Sequence, residues 1–589
     1  MLRHYILITV RNLARHLNFA IINVGGLAIG LASFIFIVLY ITDELKYDRF
    51  HEKADRIYRV NRFYNSNNVN EDAATCSFPF APTLQMDYPE MVRNTCRFFN
   101  FMTNQIFIEY RKDDTTLVKY NEPGFFVVDS TVFEMFSFPF VIGNPETALN
   151  APNQVVITES TAERYFGEED PIGKTMRLVE QLDVEVTGVI KDLPSQSHFR
   201  IDFLCSMSTV RLAFGGRLPQ TWIWNPCWTY VELADNVPPG ALEARFPEFY
   251  ENHYPDLSHQ DVTLSLQKLT DIHLKSHHDY EMHANSNILY VYILSVIAAI
   301  VLALACINFT NLTTANSATR TREIGIKKTF GAGRIVLVKQ FIGETIITTL
   351  VSLLIACLLL EILLPGFNQF TDKNISGDYI LTFSSIGFGI ALVLVVGLMA
   401  GAYPAFYLSS FNPIVIFRGG LRNGRSSAVA RKILVTAQFA ISIALIIGTL
   451  IVFSQLSFIR NTDLGFKKDQ IILLESQGVA RIQQNYGTFK ENLLKYPEIE
   501  SVTAMEDILG ANHNTRGVTI EGLSEDQRFW YPMFIVRHDF IETFNIDVVA
   551  GRAFSRDILT DTANAIMINE TMARNLGWTH EEALGKRIV

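Results

Sequence analysis

Five apolar stretches, each long enough to cross a hydrocarbon core as a helix, constrain this 589-residue chain more than any other feature. A spanning helix needs about 20 predominantly apolar residues, because in lipid the backbone must satisfy its own hydrogen bonds. The stretches run approximately from Phe19 to Ile41, Asn287 to Thr310, Ile335 to Leu364, Ile380 to Leu408 and Ile433 to Gln455. The first follows Arg3, Arg11 and Arg15, as a signal peptide would. Its apolar run exceeds a signal's core and no small-residue cleavage site follows, so it reads as a retained helix.

Positive charge sets the expected orientation. Arg3, Arg11 and Arg15 stand in a tail without acids. Arg320, Arg322, Lys327, Lys328, Arg334 and Lys339 share a segment with one acid, Glu323. Arg418, Arg422, Arg425, Arg431 and Lys432 share a segment with none, whereas the short loop around Asp372, Lys373 and Asp378 is acidic. The three basic segments therefore read as cytoplasmic. The long stretches before the second span and after the fifth then face outward. With a net charge of −10 and a mean hydropathy of +0.17, the chain fits a division between bilayer and water. The outward parts carry the acidic excess, which argues against a nucleic-acid partner.

An internal repeat relates the two outward parts. Phe133-Glu134-Met135-Phe136 followed by Gly143 matches Ile541-Glu542-Thr543-Phe544 followed by Gly551. Ile157-Thr158-Glu159-Ser160 resembles Ile568-Asn569-Glu570-Thr571, and both copies run on to Gly167 or Gly577 and then Gly173-Lys174 or Gly585-Lys586. Short β-type runs such as Val184 to Ile190 alternate with helical stretches such as Ser160 to Phe166, predicting mixed α/β domains. The expected class is α+β: five transmembrane helices with internally duplicated extracytoplasmic domains. A complete duplication predicts three further helices and a protein of roughly 800 residues, making this chain a truncated piece.

The expected layout is an interfacial N-terminal stretch (1–18), first span (19–41), first outer domain (42–286), second span (287–310) and cytoplasmic segment (311–334). The third span (335–364), fourth span (380–408), cytoplasmic linker (409–432), fifth span (433–455) and an incomplete second outer domain (456–589) follow.

Several motifs tempt and fail. Gly167 to Thr175 reads GEEDPIGKT, but a phosphate-wrapping P-loop needs four residues between its first glycine and Gly-Lys-Thr, and here there are five. It reads as a turn, and any ATPase is expected on a separate subunit. His273, His277, His278 and His283 cluster before the second span without the acidic or cysteine spacing of a zinc site. No metal or cofactor is expected on this chain, and no catalytic set is legible. Cys76, Cys96, Cys205 and Cys227 fall in an oxidising compartment, where three disulfide connectivities or none can be drawn. Glu344, two turns into the third span, is a candidate for coupling, or for snorkelling or pairing with Lys339.

The segment Arg322-Glu323-Ile324-Gly325-Ile326-Lys327-Lys328-Thr329-Phe330-Gly331-Ala332 is basic and amphipathic. Ile324, Phe330 and Ala332 offer a nonpolar contact. By itself it reads either as a membrane-surface anchor or as a helix docking into a cytoplasmic partner.

This stretch resembles the EIGIRKALGA-type sequence of MacB/FtsX-like ABC permeases of the type VII superfamily. Lys339-Gln340-Phe341-Ile342-Gly343-Glu344, Glu44-Leu45-Lys46-Tyr47-Asp48-Arg49-Phe50-His51, Arg56-Ile57-Tyr58-Arg59-Val60 and Thr270-Asp271-Ile272-His273-Leu274 are similar to members from Bacteroidetes. The resemblance covers essentially the whole chain, although the EIGI-type stretch is present once where eight-helix members carry two.

The resemblance implies a permease subunit in the bacterial inner membrane, without its own ATPase, that couples ATP hydrolysis to motion of its outer domains. ATP and magnesium would sit on the partner subunit. Arg322, Glu323, Ile324, Gly325, Ile326, Lys327, Lys328 and Gly331 are the expected ATPase contact, with the glycines allowing tight turns and the lysines meeting acidic groups. The implied cargo is a peptide, lipoprotein or small molecule of the periplasm or outer leaflet. Implied partners are the ABC ATP-binding subunit, a second permease as homodimer or heterodimer, a periplasmic adaptor and membrane lipid. An FtsX-like signalling protein controlling an envelope enzyme is the alternative, and a membrane-anchored enzyme is a third reading.

Overall fold

The computed structural model describes residues 17–66, 69–101, 103, 105–113, 116–179, 181–254, 262–315, 324–371, 373–375, 383–410, 425–476, 480–510, 514–522 and 529–588. These form two compact units, a helical one (1–46 and 286–461) and a mixed one (47–285 and 462–589).

In the helical unit, five helices are long and apolar enough to span a bilayer: Leu17–Glu44, Ile288–Ala315, Arg334–Thr371, Ile386–Ser409 and Lys432–Asn461. They correspond to the five spans expected. Small residues bring the helices close, as they do where lipid removes the hydrophobic drive for helix association. A Cβ built on Gly30 of the first span would stand 2.5 Å from Ala305 Cβ of the second. Thr345 and Thr349 of the third span are buried, and a Cβ on Gly401 of the fourth would lie 2.9 Å from Thr345 Oγ1. These hydroxyls do not stay unsatisfied: Thr345, Thr348, Thr349 and Ser352 each donate to the carbonyl one turn earlier, at 2.9 to 3.0 Å. Between helices, Thr310 Oγ1 donates to the Ala400 carbonyl at 3.0 Å. The fifth span meets the second where Asn311 Nδ2 donates to Gln438 Oε1 at 3.5 Å.

A buried ion cluster closes one end of this unit. Lys373, just past the third span, donates to Asp43 and lies 2.7 Å from Glu44 Oε1 at the end of the first. All three side chains are nearly inaccessible, and the Lys373 ammonium also sits 4.7 Å from the Tyr40 ring centroid.

The mixed unit is built on one 13-stranded sheet within residues 57–268. Its path is β13 (Val262–Lys268), β1 (Ile57–Ser66), β12 (Trp228–Leu233), β3 (Val92–Phe99), β6 (Phe125–Val128), β11 (Phe203–Ser206) and β8 (Gln154–Thr158), then β10 (Leu182–Ile190), β9 (Thr175–Leu178), β4 (Ile106–Arg111) and β5 (Leu117–Glu122). β2 (Val69–Ala73) pairs with β1, and β7 (Phe140–Gly143) with β10. β6, β11 and β12 are buried throughout because both faces of the sheet are covered, whereas β9 alternates. One face holds Phe98, Phe136, Phe199 and Tyr230. The other carries Phe78, Phe99, Tyr165 and Phe203 along one part and Phe80, Phe249 and Tyr250 along another. Each such ring contributes about 1.5–3 kcal/mol by leaving water.

The second mixed segment has the two-stranded pairing of β14 (Asn514–Val518) with β15 (Phe529–Met533) among its described residues. Its backbone nonetheless repeats the geometry of the first. Thr158 and Asn569, each preceding a helix, share φ/ψ of −79/163° and −82/163°. The paired glycines are all left-handed: Gly143 and Gly551 (φ 103° and 83°), Gly167 and Gly577 (64° and 73°), Gly173 and Gly585 (76° and 83°). Such φ values favour glycine, in keeping with the recurrence of these letters in both copies.

Candidate coupling site

The basic segment folds as a short helix over 324–329 that packs on its own membrane helices. Its end is a Schellman motif: Ala332 N–H donates to the Lys327 carbonyl and Gly331 N–H to the Lys328 carbonyl, both at 3.0 Å. Gly331, at φ 91°, supplies the left-handed residue this motif needs. Gly333 then opens the third span, its carbonyl accepting from Val336 N–H at 3.1 Å.

Ile324 is 2% exposed and packs with Leu337 and Phe341 of the third span and Ala405 and Leu408 of the fourth. Lys327 Nζ donates to Gln340 Oε1 at 3.3 Å, and Gln340 Nε2 donates onward to the buried Glu344 at 2.9 Å. Lys328 Nζ donates to the Ser409 carbonyl at 2.7 Å, and Arg334 Nε reaches Ser409 Oγ at 3.4 Å. Burial, reinforced by the neighbouring Arg334 charge, holds the Lys328 ammonium below the ordinary lysine range. Exposed on this segment are Ile326 (48%), Thr329 and Phe330 (89%).

Within the chain these residues have the following contacts. Ile324, expected to meet a partner, seals the helix to the bundle. Lys327 and Lys328, expected to meet acidic groups elsewhere, bond within the chain. Gly331 makes the tight turn, Gly325 is buried within the helix, and Arg322 and Glu323 lie outside the described residues. Glu344 bonds to Gln340 in place of Lys339. Gln340 and Ser409 were missed. The four-residue spacing of Gln340 and Glu344 was a usable signal, since such residues neighbour each other on a helix. Ser409 carried none.

The other sequence candidates disperse. Gly167 ends the helix Glu159–Phe166, while Lys174 is half-buried and paired with Glu169 at 3.1 Å. His273 stacks on Tyr47, whereas His278 hydrogen-bonds Asp72 at 2.6 Å and Asn61 at 2.8 Å. All six cysteines are free thiols in this structure. A polar network does form at the base of β1: buried Arg59 reaches Glu281 at 2.5 Å, Gln267 at 2.8 Å and Ser276 at 2.8 Å.

The chain thus combines a bundle of apolar helices that carries a docked short helix with a mixed domain whose backbone geometry is repeated. Residues 20–249 and 439–589 match the MacB-like periplasmic core domain, and residues 295–413 match the FtsX-like permease C-terminal domain. The chain belongs to the MacB/FtsX-like family of ABC permeases. It is 25% identical over 275 residues to the macrolide export ATP-binding/permease protein MacB of Bdellovibrio bacteriovorus, a match covering 45% of this chain and 38% of that protein. It is 22% identical over 436 residues to the ABC transporter permease YvrN of Bacillus subtilis, covering 71% of this chain and all of that one. A solved domain of a permease protein from Porphyromonas gingivalis, 23% identical, aligns over 37% of this chain and 92% of its own, with a TM-score of 0.30.

Proposed function

We propose that this chain is the permease subunit of an ABC transporter in the inner membrane, driven by a separate ATP-binding subunit that docks on the short helix 324–329. The observation that carries the proposal is the combination of an exposed apolar pair, Ile326 and Phe330, with a helix wedged by Ile324 between the third and fourth spans. An ATPase gripping the exposed pair would displace the helix, and the buried contacts would pass that displacement to both spans. Glu344, joined to Lys327 through Gln340, would feel it inside the bundle. The outer domains would then move with the nucleotide state, on a periplasmic or outer-leaflet substrate such as a peptide, lipoprotein or small molecule. A ligand shifts such an equilibrium only by its differential affinity for the two states, so the ATP-bound partner must hold the short helix differently from the free one.

The test is co-purification in detergent of the chain with a co-expressed ABC ATP-binding subunit, for wild type, Phe330→Asp and Ile326→Asp. Wild type is expected to retain the subunit and stimulate its ATPase, and both variants to lose it while remaining folded. An ATP-binding subunit held equally by all three would remove the proposed contact, and one held by none would remove the transporter reading.

A further inference from the structure

We propose that Cys76 and Cys227 are joined by a disulfide in the mature protein. They face each other across an isolated antiparallel bridge, with Cys76 N–H donating to the Cys227 carbonyl at 2.7 Å and Cys227 N–H to the Cys76 carbonyl at 3.0 Å. Reciprocal bonding of this kind sets Cα atoms about 5.5 Å apart, inside the roughly 4.4–6.8 Å that a disulfide bridges. Both side chains point to one side of the sheet. Trp228, the next residue after Cys227, belongs to the core of the opposite face, while Cys227 packs with Phe78 and Cys76 with Phe80.

The other outer cysteines are placed otherwise. Cys96 stands opposite Tyr230, in the core of the other face, and Cys205 stands between Val127 and Val155. A single pairing is thereby selected, with Cys96 and Cys205 left as thiols.

Both thiols are fully buried, and burial pushes Cys76 up to about 12 and Cys227 also upward. Since the thiolate is the nucleophile, neither would react once the domain has closed. The bond must therefore form on the newly translocated chain. One thiolate attacks a disulfide of an extracytoplasmic dithiol oxidant, giving a mixed disulfide, and the second cysteine displaces it. Two protein thiols give up two protons and two electrons, and the oxidant leaves as a dithiol. The bond would tie the segment after β2 to the start of β12. Ala74 of that segment donates to the Asp279 carbonyl at 2.9 Å, so the bond would brace the strip of chain that leads toward the second span.

The inference rests on the outward placement of the domain. Full-length protein from cells with an oxidising periplasm would be denatured, alkylated without reduction, digested and analysed by mass spectrometry. The expected result is a Cys76–Cys227 linked peptide that disappears on reduction, with Cys96 and Cys205 alkylated. Full alkylation of Cys76 and Cys227, or linkage of either to another cysteine, would overturn the proposal. Placement is read separately by adding Glu168→Cys to a Cys76→Ser/Cys227→Ser chain and labelling it with a membrane-impermeant maleimide after outer-membrane permeabilisation. Labelling together with unlinked cysteines sinks the disulfide alone, whereas absence of labelling removes the outward placement as well.

Discussion

The Lys328 ammonium caps the end of the fourth span, donating to the Ser409 main-chain carbonyl at 2.7 Å. A cation at a helix C-terminus satisfies an orphan carbonyl and meets the negative end of the helix dipole. Together with Ile324 among Leu337, Phe341, Ala405 and Leu408, it makes the short helix part of the bundle, with Ile326 and Phe330 as its outward face.

Ile324→Ala should therefore act on stability and Phe330→Ala on partner binding. The first opens a cavity at about 2–5 kcal/mol, while an exposed truncation stays within about 0.5 kcal/mol. Thermal unfolding in detergent beside ATPase stimulation separates them. Equal stability of both variants would contradict the burial of Ile324.

Lys373→Met should destabilise the helical unit by about 3–5 kcal/mol, because it leaves Asp43 and Glu44 buried without their cation. Adding Asp43→Asn and Glu44→Gln should restore most of the loss. A stable single variant, or absence of rescue, would show that the cluster contributes little.

The mixed unit should lose stability in mild acid. Burial pushes His51 and His283 down from 6.5 to about 4. Ser137 N–H donates to His51 Nδ1 at 3.1 Å, which requires that nitrogen to be unprotonated. These groups favour the fold fully above the unfolded value near 6.5, and the contribution fades as pH falls from there toward 4, where the unfolded chain alone takes up protons. Unfolding midpoints measured across that window should fall for wild type and fall less for His51→Phe. Equal slopes would exclude His51 as a source.

Gly30→Leu should push the first and second spans apart, since even a Cβ there would meet Ala305 Cβ at 2.5 Å. Overpacking of this kind costs about 1–3 kcal/mol. Gly25→Leu, where nothing lies within 4 Å, is the control. Cross-linking between cysteines introduced on the two spans should drop for the first variant only.

Elements whose signal is local were legible in the sequence. Five spans followed from hydrophobic length, since lipid leaves a helix few alternatives. The duplication followed from glycines such as Gly143 and Gly551, whose left-handed φ is a property of one residue. The turn at Gly331 followed for the same reason. Which side of that segment faces inward did not. Ile324 and Phe330 are both apolar, and only packing against the third and fourth spans buries one and exposes the other. The partners Gln340 and Ser409, the opposition of Cys76 to Cys227 and the burial of Lys373 join residues far apart along the chain. Those juxtapositions arise when sheet and bundle close, because long-range contacts depend on register and packing, which no local stretch of sequence encodes.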